Sequence, residues 1–133
     1  MSKNLIIFLG VFFILSCKSS LIKKEELEKW NAQLQKEYIS LDNIALYEYD
    51  FDKKKYITIN ESILIKKNTK VYLQLEAVDD WLRIRAFDLQ KNKKDYLGEV
   101  IFYLTVPENK ELTSSEIKKI IDDFITMHFN SIN

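Results

Sequence analysis

Hydrophobic and polar positions change period three times along the chain. Leu5 to Leu15 is an unbroken apolar run of eleven residues. From residue 21 to 38 the apolar positions fall at three- and four-residue steps, with Leu27, Trp30, Leu34 and Tyr38 on one stripe and Lys, Glu and Gln elsewhere. That spacing predicts an amphipathic helix over 21–38, with Ser20 as N-cap. Between residues 44 and 106 the period falls to two. Tyr, Ile, Val and Thr are frequent there, as strands prefer. The predicted strands are 44–51, 55–60, 62–66, 70–78, 81–89 and 98–106, and Pro107 closes the last because it cannot donate to a ladder. The helical period returns over 113–130, with Ile117, Ile120, Ile121, Phe124 and His128 on one face. Thr113 and Glu116 have capping-box spacing at its start.

One hairpin can be set in register from these runs. With Asp79-Asp80 as a two-residue turn, Val78 faces Trp81, Glu76 faces Arg83, Gln74 faces Arg85 and Tyr72 faces Phe87. On the other side Ala77 meets Leu82, Leu75 meets Ile84 and Leu73 meets Ala86. One face is wholly apolar and the other polar-aromatic, and a slip of one residue would ruin both. Other turns are expected at Asp50–Lys55, Lys66–Asn68 and Lys91–Asp95, where Asn and Asp replace Gly. The expected fold is α+β: an antiparallel sheet of four to six strands, flat or curled into a small partly open barrel, flanked by N- and C-terminal amphipathic helices.

The first apolar run changes the picture. It follows Lys3, and it is too short for a helix that spans a bilayer, which takes about 20 apolar residues. It fits the central region of a signal peptide. It ends in Ile14-Leu15-Ser16-Cys17, which resembles the lipobox of bacterial lipoproteins. The resemblance implies a diacylglycerol on the Cys17 thiol, cleavage just before it and acylation of the new amino group. The chain then divides into a signal peptide (1–16), a lipid anchor with a short tether (17–20) and a single α+β domain (21–133). Losing Lys3 with the signal peptide shifts the formal charge from +0 to −1.

Composition narrows the chemistry. Twenty basic and twenty acidic residues give no electrostatic footprint for nucleic acid. One His and one Cys cannot form the usual Cys/His zinc site, a Cys–His dyad or a disulfide framework. Two glycines, Gly10 and Gly98, exclude a P-loop or a dinucleotide fingerprint. His128 lies near a helix C-terminus with no nucleophile paired to it in the sequence, so it reads as structural. Asp79-Asp80 and Asp122-Asp123 read as solvated acids, in a turn and on a helix face. They lack the spacing of a calcium loop. No metal, no cofactor other than the covalent lipid, and no catalytic residue are expected.

One group stands apart. Trp81, Arg83, Arg85 and Phe87 alternate along one side of one strand, and these two arginines are the only ones in the chain. Arg and aromatic residues are favoured at protein interfaces. The row is therefore either a partner-binding face or an outer sheet face covered by the protein's own helices, with Arg83–Glu76 as a surface pair.

Ile, Lys and Asn make up a third of the chain. With the lipobox, with Leu21-Ile22-Lys23-Lys24-Glu25-Glu26-Leu27 close behind Cys17, and with Lys66–Asp88 and Leu97–Leu104 ahead of the last helix, the chain resembles small spirochaetal lipoproteins. It is similar to the leptospiral ones associated with the type II secretion system. The resemblance implies a membrane-anchored, non-enzymatic accessory protein that binds another envelope protein. Lys18 stands where enteric inner-membrane lipoproteins carry a retention Asp, and by that analogy points to the outer membrane. A surface-exposed ligand-binding or adhesin-like lipoprotein is the alternative.

Overall fold

The computed structural model describes residues 22–91, 94–107 and 110–132. Residues 1–16, Cys17 and Ser20 lie outside the described residues, and the first helix takes Lys23 in place of Ser20 as its N-cap. Helix α1 (Lys24–Gln33) is followed by strands β1 (Glu37–Ser40), β2 (Ile44–Asp50), β3 (Lys55–Ile65), β4 (Lys70–Val78), β5 (Trp81–Asp88) and β6 (Glu99–Thr105). Helix α2 (Ser114–His128) and strand β7 (Phe129–Ile132) complete the chain. The strands form one seven-stranded sheet in the order β3-β2-β6-β5-β4-β1-β7, curved into a half-barrel.

The α+β class stands, and four finer expectations are corrected. The sheet has seven strands and is mixed, because β2 lies parallel to β6 (Tyr47 opposite Phe102). The runs 55–60 and 62–66 are one strand, broken in register where Leu46 faces Asn60 and Ile44 faces Ile65. The first helix ends at Gln33, and Tyr38 belongs to β1, where it and Ser40 are buried on alternate positions. The last helix ends at His128, and Phe129–Ile132 pairs with β1 instead of extending it. Two strands of four residues are too short to declare a period of their own.

The β4–β5 register is the expected one throughout, from Val78 opposite Trp81 to Tyr72 opposite Phe87. Asp79 turns the chain with φ 51, a left-handed backbone that Asp tolerates. In the turn after β2, the Asp50 carboxylate accepts from the backbone N–H groups of Asp52 and Lys53 (2.9 and 3.1 Å). The loop before β4 is pinned from β1. Ser40 donates its hydroxyl to Lys66 O (2.6 Å), and the same oxygen accepts from Thr69 N (2.9 Å).

The apolar sides of the central strands meet α2. Leu82, Ile84, Ala86, Phe102 and Leu104 are fully buried, as is Phe124 of the helix. Phe124 stacks on Phe102 with ring centroids 4.5 Å apart and has Tyr47 and Tyr56 edge-on or tilted at 5.7 and 5.5 Å. The Tyr56 hydroxyl donates to Ile120 O, tying β3 to the helix. Helix α2 thus fills the concave side of the sheet and does not merely flank it. Its capping box is formed as the sequence predicted, with Glu116 N donating to Thr113 Oγ1 and Thr113 N to Glu116 Oε1 (both 3.2 Å). Helix α1 leans on the same core through Leu27 and Trp30, both half-buried, and meets β4.

Candidate functional site

The convex face of the sheet is built by the β4–β5 hairpin. Because Leu82, Ile84 and Ala86 point into the core, Trp81, Arg83, Arg85 and Phe87 point out, all four half-buried. Tyr103 lies opposite Arg83 on β6, and Glu76 opposite it on β4. The row predicted from the sequence is therefore one continuous surface.

One carboxylate oxygen organises it. Glu76 Oε1 accepts from Arg83 Nε at 2.8 Å and from Arg85 Nε at 2.9 Å. Burial alone would raise the Glu76 pKa; the hydrogen bonds and charges of Arg83 and Arg85 outweigh it and hold the carboxyl below its ordinary value. The same bond to Glu76 raises the pKa of Arg83. The Arg83 guanidinium lies 5.3 Å from the centroid of the Trp81 ring, a cation–π distance. Trp81 meets Tyr103 edge-on at 6.0 Å. Two guanidinium groups and one carboxylate leave one positive charge in this cluster.

The far end of the row is strapped by the chain between β5 and β6. Arg85 Nη1 donates to Leu97 O (2.9 Å), Asp88 N donates to the Tyr96 hydroxyl (3.2 Å), and Tyr96 stands edge-on to Phe87 at 6.2 Å. Gly98 makes the approach possible. Its φ is +78, and a Cβ there would lie 2.9 Å from Arg85 Cγ and from the Phe87 ring. Of the two alternatives for this face, the Arg83–Glu76 pair is present, α2 lies on the other side of the sheet, α1 borders the row at Phe87, and residues 96–98 lie against Arg85 and Phe87. Leu97, 76% exposed, projects from the strap, and Tyr72 is exposed beside it on β4. The sequence showed the row but not the strap, whose only signal was the lone glycine.

The remaining candidate residues fall elsewhere. His128 is buried, with Nδ1 3.1 and 3.2 Å from the two Asp42 carboxylate oxygens and its ring between Tyr47 and Phe124 (4.9 and 4.7 Å). Aromatic packing on both sides makes it a structural joint between the end of α2 and β2. Asp122 and Asp123 pair with Lys118 and Lys119 one helical turn earlier (2.7 and 2.9 Å), and Asp79 and Asp80 are exposed in their turn. Among the described residues no three His, Cys, Asp or Glu side chains are grouped to hold a metal ion. No helix among them is long and apolar enough to cross a membrane.

A second concavity was invisible in the sequence. Where α1 and α2 diverge over β1 and β7 they leave a groove of ≈ 440 Å³. Comparison with protein-family models, with curated proteins and with solved structures gave no significant match.

Proposed function

We propose that this chain is a lipid-anchored envelope protein without catalytic activity that binds another envelope protein through its convex face. The observation that carries the binding half of the proposal is the row Trp81–Arg83–Arg85–Phe87, held in one geometry by Glu76, Tyr103 and the strap at Leu97, and partly exposed. Aromatic and Arg side chains fixed before binding lose little entropy on docking, which is what makes such residues dominate interface energies.

The anchoring half rests on Ile14-Leu15-Ser16-Cys17. Two or three acyl chains at Cys17 would hold the domain stably at the bilayer, where one chain alone binds only marginally. Confinement at the membrane raises the effective concentration for a partner fixed there. The resemblance to type II secretion lipoproteins makes the secretion apparatus the partner to test first, and the outer membrane the place.

Metabolic labelling with a fatty acid tests the anchor: the wild-type chain takes label and Cys17→Ala does not. Pull-down from membranes tests the face: Trp81→Ala/Arg85→Ala loses the partner, whereas a variant on the concave side matched to it in thermal unfolding keeps it. Retained partner in the double variant removes the convex face from the proposal. Unchanged secretion after gene deletion removes the secretion apparatus. Protease treatment of intact cells separates the alternative, since a surface adhesin is shaved and a periplasmic accessory is protected.

A further inference from the structure

The groove between the helices lies apart from the convex face and its Arg row. Its floor is apolar and preformed: Leu34, Tyr38, Ile121 and Phe129 are buried beneath it, and Tyr38 and Phe129 meet edge-on at 6.3 Å. Trp30 forms one wall. Its volume of ≈ 440 Å³ falls within the range of small-molecule sites, roughly 300–1,000 Å³. Such sites combine an apolar lining with a few polar groups that fix orientation.

Two of those rim groups are ammonium ions. Lys118 is shared with Asp122 at 2.7 Å. Lys36 sits 5.7 Å from the centroid of the Tyr38 ring at the floor, and among the described residues no carboxylate pairs with it. The lining therefore carries two cations and one anion, with Gln33, Thr126, Asn130 and Ser131 as neutral polar groups around the apolar floor. A ligand complementary to this surface has an aliphatic body and one negative end.

We propose that this groove binds a medium-chain carboxylate, its chain along Leu34, Ile121 and Phe129 and its carboxylate at Lys36 and Lys118. The site lies on the concave side of the sheet, with Trp30 beside it, while Trp81 is on the convex side. The two tryptophans therefore report on the two surfaces separately. Each methylene that enters the groove strengthens binding, so removing two from the ligand weakens it about tenfold.

The test uses the full chain carrying Trp81→Phe in phosphatidylcholine vesicles, titrated with octanoate and decanoate, with empty vesicles correcting for partition into lipid. Trp30 emission should shift saturably, with decanoate binding about tenfold tighter than octanoate. Lys36→Glu, a change at an exposed position, should weaken decanoate about threefold to fivefold while leaving the circular dichroism spectrum unchanged. Decanol should bind more weakly than decanoate to the parent and at least as tightly as decanoate to the Lys36→Glu variant, whose new carboxylate repels only the anion. No saturable shift at millimolar ligand overturns the proposal. So does a shift that Lys36→Glu leaves intact, or one that appears only in a chain keeping Trp81 and carrying Trp30→Phe.

Discussion

The side-chain amide of Asn31 completes the backbone bonding of Leu75. Asn31 Nδ2 donates to Leu75 O at 2.9 Å, and Leu75 N donates to Asn31 Oδ1 at 2.8 Å. The pair imitates the two bonds a neighbouring strand would make. It occurs where β1 stops: β1 pairs with β4 only at Tyr38–Val71 and Ile39–Lys70. Beyond that point β4 has a free side, and α1 supplies one residue to close it. An unpaired sheet edge is an invitation to aggregate, and covering it with a helix is one of the ways proteins avoid this. The long edge at β3 is treated differently, by its register break near Asn60 and by Lys53–Lys55 at its start.

Asn31→Ala should destabilise the domain by about 1–3 kcal/mol, because it leaves both backbone groups of a buried residue without partners. Asn31→Asp should not rescue it, since a carboxylate accepts from Leu75 N but faces Leu75 O with no donor. Urea denaturation of the three chains measures both.

Glu76→Gln should cost about 1–2 kcal/mol at neutral pH, as the charge shared by Arg83 and Arg85 is lost. The folded pKa of Glu76 lies below its ordinary 4.5. Its contribution is therefore complete above that value and is lost as pH falls through the lower folded value. Stability curves of wild type and Glu76→Gln should run apart at pH 7 and converge in acid. Parallel curves down to pH 2 would mean that the two bonds do not couple to folding.

Phe124→Ala should cost about 3–5 kcal/mol, the usual range for a buried aromatic ring. The ring is fully buried and touches three strands and the joint at His128. A domain of this size holds about 5–15 kcal/mol in all, so the variant should be largely unfolded well below the wild-type melting temperature. Thermal unfolding followed by far-UV circular dichroism checks this.

Gly98→Ala should cost about 1–2 kcal/mol for the left-handed backbone alone. The added Cβ would also press on Arg85 and Phe87. Its effect on partner capture should exceed that of an equally destabilising change on the concave side, and pull-downs of variants matched in stability decide this.

Much of this was written in local pattern. The hairpin register followed from residues that must alternate between core and surface, because a slip of one would put Leu75 and Ile84 in water. The capping box followed from two side chains three residues apart. The convex row followed from the same alternation that buried its neighbours. Strand partners at long range were a different matter. Nothing near Tyr47 states that it will lie parallel to Phe102, and nothing in Glu37–Ser40 or Phe129–Ile132 announces a strand, since four residues hold barely one repeat of the pattern.

The sequence by itself determined the last helix, the run of strands between residues 44 and 106, the alternation of their buried faces and the apolar run Leu5–Leu15 ahead of Cys17, because each depends on residues close together in the chain. Only the tertiary structure decided that the sheet is mixed, that α2 lies within its curve, that residues 96–98 strap the Arg row, and that the two helices part to leave a groove. Those outcomes depend on how curved surfaces pack across distances of many tens of residues. Asn31 is the clearest instance: an unremarkable polar residue on a helix, given its role by a strand 44 residues away that happened to end without a neighbour.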